Sequence, residues 1–192
     1  SNSASSLLQG QGFWLETAGD DLTPRAAIKG DEQCDVAILG GGYSGLWTAY
    51  FLLCQRPDLR VAIVEREICG YGASGRNGGW CSPRFPVDAH ALISRFGLEI
   101  ARKTLSALQD MVDEIGILCD EEGIDAHYRK TGLLSLARTP GQMRGLVATQ
   151  RTFERLGFED SNILLNKSDA YARVHVTNLE GALSVKAGAS IH

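Results

Sequence analysis

The chain has 192 residues, of which 44 % are hydrophobic and 22 % charged, so it can bury the core of one domain or a little more. Its 19 basic and 23 acidic residues give a formal net charge of -4, which argues against nucleic acid or anionic lipid as a partner and favours a small molecule. The longest apolar stretch, residues 45–54, is far below the roughly 20 residues of a membrane helix, so no membrane span is predicted.

The cysteines and histidines show no metal-ligand spacing, and we expect no metal site. The five cysteines cannot all pair with one another, and none stands in a CxxC motif. The first basic residue is Arg25, and the sequence before it lacks the apolar centre of a secretory signal. Reduced thiols in a cytoplasmic protein are therefore expected.

Residues 1–33 are predicted to be an irregular lead-in. Residues 1–12 are rich in Ser, Gly and Gln and are expected to be disordered, without a function of their own. From Phe13 to Glu32 the composition is mixed, and Pro24 interrupts regular structure.

A strand, a helix and a second strand are predicted next. The apolar run Asp35–Leu39, which ends at Gly40, is typical of a strand buried on both faces of a parallel sheet. Residues 43–56 are apolar on almost every side, as expected of a helix packed into a sheet, and Pro57 ends them. The second strand is predicted at Arg60–Glu65, parallel to the first and joined to it by a right-handed crossover.

Two helices are predicted in the middle of the chain. Asp88 can cap a short helix that continues through Phe96 and ends at Gly97. From Leu98 onward, apolar residues recur at spacings of three and four, which predicts a longer amphipathic helix that ends before Gly123.

The last third of the chain mixes strands and helices. Residues 128–138 predict one or two strands with a Thr-Gly turn. Thr139 as cap and Pro140 at the first position begin a helix that ends before Gly157. Two further strands and a short helix are predicted at Ile163–Leu165, Ala182–Val185 and Asp169–Val174.

The first glycine-rich stretch lies between the first predicted strand and its helix, and reads GxGxxG at Gly40, Gly42 and Gly45, with Tyr43 and Ser44 inside the motif. Gly40 allows a tight turn, Gly42 leaves room for a pyrophosphate, and Gly45 allows the helix to lie close to the sheet. The free N–H groups at the helix start attract phosphate. The alternative is a chance glycine turn before an ordinary core helix.

Glu65 ends the second predicted strand, 20 residues after Gly45. A carboxylate at this place accepts hydrogen bonds from the ribose hydroxyls of a dinucleotide. Its charge also opposes a 2′-phosphate, although the neighbouring Arg66 weakens that discrimination.

A second glycine-rich stretch, Gly70–Gly79, reads GYGASGRNGG and contains five glycines. Such a backbone can lie against a flat ligand, and a solvent-exposed flexible loop is the alternative. The groups able to contact a ligand are Ser74 and Arg76 for a pyrophosphate, and Asn77 with the N–H groups of Gly78 and Gly79 for a flavin ring.

The motifs GGGYSG, IVERE and GYGASGRNGGW together resemble those of the FAD-dependent amine and amino-acid oxidases of the D-amino-acid oxidase and glycine oxidase superfamily. The sequence is most similar to the gamma-glutamylputrescine oxidase type. The lead-in FWLETAGDD and the closing GALSVKAGASIH are also similar to stretches of that group, so the resemblance spans most of the chain.

This resemblance implies an FAD-dependent enzyme in which a hydride passes from the carbon bearing the amine to flavin N5, with oxygen or another acceptor taking the electrons. It implies an α/β fold, with an incomplete Rossmann-like FAD-binding part at residues 34–125 and the start of an α+β substrate domain at residues 126–192. Family members are roughly twice as long, so an N-terminal portion that is inactive alone is expected. The residues that the resemblance places along the cofactor are Gly72, Ala73, Asn77, Gly78 and Gly79.

Two other functions are compatible with the motifs. An NAD-dependent dehydrogenase would share GxGxxG and Glu65 but would not need GASGRNGG. A non-catalytic chain that only binds a nucleotide or a partner is the third interpretation. No catalytic acid or base is identifiable from the sequence.

Overall fold

The computed structural model describes residues 12–192, so the disorder predicted for residues 1–12 falls outside the described residues except at Gly12. Within this range the chain forms six α-helices and seven β-strands. The helices are α1 (Phe13–Thr17), α2 (Tyr43–Gln55), α3 (Ala89–Phe96), α4 (Leu98–Glu121), α5 (Pro140–Arg155) and α6 (Lys167–Tyr171). The strands are β1 (Val36–Leu39), β2 (Val61–Val64), β3 (Trp80–Cys81), β4 (Leu133–Ala137), β5 (Asn162–Leu165), β6 (Gly181–Val185) and β7 (Ala189–Ser190).

The chain divides into two compact units, one ending at Gly78 and the other spanning Gly79–His192. The first unit contains the predicted strand, helix and second strand. β1 and β2 pair in parallel, from Val36 opposite Val61 to Leu39 opposite Val64, and α2 connects them. The mixed helix and strand fold class is confirmed. The predicted domain boundary between residues 125 and 126 stays a prediction.

The predicted burial of the first strand on both faces is wrong. Exposure alternates along β1, and Leu39 is 85 % exposed. The helix α2 buries only Ala49 and leaves Leu46 and Phe51 exposed. The physical reason is the small size of this sheet: its two described strands can cover one side of a helix and no more.

The lead-in is not irregular throughout, because Phe13–Thr17 form the short helix α1. The Thr17 hydroxyl donates to the Phe13 carbonyl at 2.7 Å, and the Trp14 indole N–H donates to the main-chain carbonyl of Asn77. A helix of this length is not stable alone, so it depends on the contact with residue 77.

The helices α3, α4 and α5 of the second unit begin and end where the capping residues predict. The Asp88 carboxylate accepts from the Ala91 N–H at 2.8 Å at the start of α3, and Gly97, with φ +83°, separates α3 from α4. The Thr139 hydroxyl accepts from the Gln142 N–H at 3.2 Å at the start of α5. The helix α6 begins two residues before the predicted start because the side chain of Asn166 caps it.

The second unit has a three-stranded antiparallel sheet in the order β4–β6–β5. The strand Leu133–Ala137 is shorter than the predicted span 128–138, and Arg129 forms an isolated bridge with Ser190. The pair β3 and β7 was not predicted. Three core clusters are found among the described residues. They contain Leu92, Ala101, Leu105 and Leu156; Leu165, Ala170, Leu179 and Ala182; and Cys81, Val112 and Ala189. No helix within residues 12–192 is long and apolar enough to cross a bilayer.

Candidate functional site

The first glycine motif forms the tight turn from β1 into α2. Gly40 has φ +102°, a backbone conformation that residues with a side chain rarely adopt. A Cβ atom on Gly45 would lie 2.1 Å from the Gly40 carbonyl oxygen and 3.2 Å from Ile38 Cγ2. Gly40 therefore makes the turn, and Gly45 lets the helix start close to the strand.

The start of α2 faces Ser74 of the second glycine-rich stretch. Gly42 is the N-cap and has no side chain to satisfy the first N–H groups of the helix. The Tyr43 N–H donates instead to Ser74 Oγ at 3.0 Å, and a Cβ atom on Gly42 would lie 3.1 Å from the same oxygen. At Gly42 no side chain stands between Ser74 and the start of α2, which is the positive end of a helix dipole, and a helix start of this kind can bind a phosphate group. Ser44, the second residue of α2, is exposed beside it.

Glu65 follows the last residue of β2 and binds the glycine turn directly. Its Oε2 accepts from the Gly41 N–H at 2.8 Å, and its Oε1 accepts from the Glu67 N–H at 3.1 Å. These bonds, first that of Gly41, lower the pKa of the Glu65 carboxyl below its ordinary value of 4.5. Each carboxylate oxygen keeps a further lone pair, so the charged group can still accept from hydroxyl groups of a ligand.

Arg66 lies next to Glu65 but is directed to another partner. Its Nε is 3.3 Å from Glu67 Oε1, and its side chain is 85 % exposed. An exposed ion pair of this kind is weak. Arg66 thus lies beside the turn, where its backbone and its charge are smaller causes of the lowered pKa of the Glu65 carboxyl.

Gly41 is a residue of the turn that the motif reasoning missed. It is buried, and a Cβ atom there would lie 2.7 Å from Cys69 Sγ. Its carbonyl accepts from the Gly70 N–H at 2.8 Å. The available signal was the run of three glycines at 40–42, of which GxGxxG uses two. Gly41 holds the second glycine-rich stretch against the first.

The second glycine-rich stretch is a folded turn. Ala73–Gly75 form a single 3-10 turn, and a Cβ atom on Gly75 would lie 2.2 Å from the Gly70 carbonyl oxygen. The Asn77 amide donates to the Tyr43 hydroxyl at 3.0 Å and to the Ser74 carbonyl at 2.6 Å. Tyr43, Ser74 and Asn77 are thus brought together at the start of α2.

The other predicted site residues lie along the same stretch. The Arg76 guanidinium carbon lies 4.7 Å from the centre of the Tyr71 ring, an arrangement typical of a cation–π contact. Gly79, with φ +65°, belongs to the second unit, where its carbonyl accepts from the Ile191 N–H at 2.9 Å. The exposed residues of the stretch include Gly72, Ala73 and Gly78.

The second unit contains a cleft of about 630 Å³ that no sequence motif indicated. Its walls come from the segment before α3, from α3, α4 and α5, and from the sheet, and they include Arg84, His90, Gln109, Phe153 and Leu183. Arg84 donates to Ser135 Oγ at 3.0 Å at its edge. The cleft combines apolar walls with a few polar side chains, as small-molecule sites do.

The described residues contain no group of three or more His, Cys, Asp or Glu side chains able to hold a metal ion. All five cysteines fall within the described range, and all are free thiols.

Residues 35–192 match the family described as DAO, FAD dependent oxidoreductase. Gamma-glutamylputrescine oxidoreductase from Escherichia coli is 31 % identical over 179 residues, which are 93 % of this chain and 41 % of that protein.

Solved structures share the fold. Glycine oxidase from Geobacillus kaustophilus aligns with a TM-score of 0.59 at 25 % identity, over 82 % of this chain and 40 % of that one. L-amino acid deaminase from Proteus vulgaris aligns with a TM-score of 0.60 over 88 % of this chain and 37 % of that one, and its 19 % identity supports the fold alone. The chain thus spans about two fifths of the length of these relatives.

Proposed function

This chain belongs to the DAO family of FAD-dependent oxidoreductases, and we propose that it holds FAD through its first unit and takes part in oxidising the C–N bond of an amine or amino acid. The predicted family and its cofactor are confirmed by the match over residues 35–192. Because the matching family depends on FAD, the match favours FAD over the NAD-dependent alternative.

One observation supports the cofactor assignment most strongly: a helix start and a carboxylate meet at the same glycine turn. The Tyr43 N–H, at the start of the helix, donates to Ser74 Oγ, and Glu65 Oε2 accepts from the Gly41 N–H of the turn. A dinucleotide needs these two groups, one for its diphosphate and one for the ribose hydroxyls of its adenosine half. We assign the diphosphate to the N–H groups at the start of α2 and the ribose to Glu65.

The second glycine-rich stretch supports a site longer than a mononucleotide. It continues from Gly70, bonded to Gly41, through Ser74 to Asn77, which reaches the Tyr43 hydroxyl. In the proposal Ser74 meets the diphosphate, while Asn77 and the backbone toward Gly78 lie along the remainder of the cofactor. Arg76, whose guanidinium group lies over the Tyr71 ring, supplies positive charge within the same stretch.

The names of the relatives support an amine or amino acid as substrate, since they include gamma-glutamylputrescine oxidoreductase and glycine oxidase. When bound, FAD would supply the hydride acceptor for oxidation of the carbon that bears the amine, to an imine that water hydrolyses, with oxygen or another acceptor taking the electrons. The role of the chain's own residues is to bind and orient the cofactor for this step.

The test uses the full-length protein supplied with FAD under anaerobic conditions. We expect a bound-flavin absorption spectrum that bleaches when a suitable primary or secondary amine or amino acid is added. A protein that binds no FAD would contradict the cofactor assignment. Bound FAD that stays oxidised with every amine of a broad panel would instead support the non-catalytic nucleotide-binding interpretation.

A further inference from the structure

We propose that Trp14 is a positioning residue that holds the second glycine-rich stretch in the conformation that receives FAD. The inference rests on the proposed function and assigns a role to the lead-in, which lies before the family match at residues 35–192. It starts from the hydrogen bond between the Trp14 indole N–H and the main-chain carbonyl of Asn77, 63 residues away in the sequence.

The contact between α1 and the stretch has a second component. Leu15 Cδ2 lies 3.6 Å from the place of a Cβ atom on Gly75. Trp14 and Leu15 are both partly buried, whereas their neighbour Phe13 is exposed. The helix α1 therefore packs against the stretch at Gly75 and bonds it at Asn77.

The stretch is attached on its other side to the glycine turn and the start of α2. Gly70 N–H donates to the Gly41 carbonyl at 2.8 Å, and Ser74 Oγ accepts from the Tyr43 N–H at 3.0 Å. The Asn77 side chain donates to the Tyr43 hydroxyl at 3.0 Å, while its carbonyl accepts from Trp14. Asn77 is thus held by α2 through its side chain and by α1 through its main chain.

This two-sided attachment matters because glycines make the stretch intrinsically mobile. Five of its ten residues are glycine, and glycine loses more conformational freedom on ordering than any other residue. A stretch ordered before binding requires no such entropy loss when the ligand arrives, so affinity rises. Trp14 would supply part of that order from outside the stretch.

The experiment replaces the indole donor by Trp14→Phe in the full-length protein. Its matched control is Trp47→Phe, the same change in the same unit at a ring that packs on Phe51 at 5.4 Å between centroids. Two quantities are measured: amide hydrogen exchange of residues 70–78 without FAD, and the dissociation constant for FAD. Because Trp14→Phe removes one hydrogen bond, we expect the amide exchange rate of this segment and the FAD dissociation constant both to rise about threefold to tenfold in this variant. Neither quantity should change in Trp47→Phe.

Unchanged exchange in residues 70–78 together with an unchanged FAD dissociation constant in Trp14→Phe would overturn the inference. A general loss of stability is distinguished by exchange in β1 and β2, which should stay as in the wild type. A wild-type protein that does not bind FAD would contradict the proposed function itself, and this outcome is seen before any variant is compared.

Discussion

At the residue scale, Glu65 orders the glycine turn, and in the proposed site the same carboxylate also binds the ligand. Its bonds to the N–H groups of Gly41 and Glu67 use one lone pair of each oxygen. In the proposed site, the remaining lone pairs accept hydrogen bonds from the ribose hydroxyls.

Glu65→Gln should raise the FAD dissociation constant about tenfold, and Glu65→Ala should raise it about a hundredfold. Glutamine keeps the shape and one acceptor oxygen but loses the charge that strengthens hydroxyl bonds, whereas alanine loses both. Fluorescence titration of FAD measures the effect. Equal affinities in wild type, Glu65→Gln and Glu65→Ala would refute the ribose assignment.

The lowered pKa of Glu65 predicts a pH dependence of stability with a definite sign. Because the folded-state pKa lies below the ordinary value of 4.5, the stabilisation is complete above that value and is lost as pH falls through the folded pKa. The Tm difference between wild type and Glu65→Gln should therefore stay constant from about pH 7 to about pH 5 and shrink below about pH 4. A difference that grows on acidification would contradict the assignment.

The candidate site residues that the sequence predicts are those whose expected roles follow from local spacing, and the ribose role of Glu65 stays a prediction. Gly40, Gly45 and Glu65 each have a fixed place relative to a strand or helix, and the structure shows the turn and the close approach predicted for the two glycines. Trp14 was missed because its partner Asn77 is distant in sequence and no periodic pattern connects them.

At the scale of elements, helix ends were predictable because caps are local chemistry. Asp88, Gly97 and Thr139 mark helix boundaries in both the sequence and the structure. The pairing of β3 with β7 was not predictable, because each of these strands has only two residues and the paired residues Trp80 and Ser190 are far apart in the sequence. The exposure of β1 also escaped prediction, because an apolar run does not reveal how many strands surround it.

Two helical glycines give opposite predictions for the same substitution. A Cβ atom on Gly116 of α4 would lie 2.5 Å from Cε1 of Tyr128, whose hydroxyl donates to the Val112 carbonyl at 2.7 Å. Gly116→Ala should therefore destabilise the fold by about 1 to 3 kcal/mol through overpacking. Gly145→Ala, in α5 with no atom within 4 Å, should stabilise it by about 1 kcal/mol through helix propensity.

Urea denaturation of both variants measures these free energies of unfolding. A neutral Gly116→Ala would show that the contact between α4 and Tyr128 is not as described, and a destabilised Gly145→Ala would show that the surroundings of Gly145 are not open.

At the scale of the whole molecule, the first unit exposes an unusual amount of apolar side chain. Leu39 is 85 % exposed, and Leu46, Phe51 and Leu53 of α2 are exposed with it. The 192 residues produced alone should therefore bind a hydrophobic dye and self-associate. Leu39→Gln should reduce dye fluorescence while changing the free energy of unfolding by no more than about 0.5 kcal/mol. Absence of dye binding by the wild-type chain would contradict this exposure.

The central claim is that FAD binds where Gly42 leaves space at the start of α2, and an FAD titration of the full-length protein tests it most directly. Wild type is compared with Gly42→Val and with Gly30→Val, where no atom lies within 4 Å of the added Cβ. A valine at position 42 would displace Ser74 Oγ and fill the diphosphate position, so we expect FAD binding by wild type and Gly30→Val and none by Gly42→Val. Undiminished FAD binding by Gly42→Val would contradict the account.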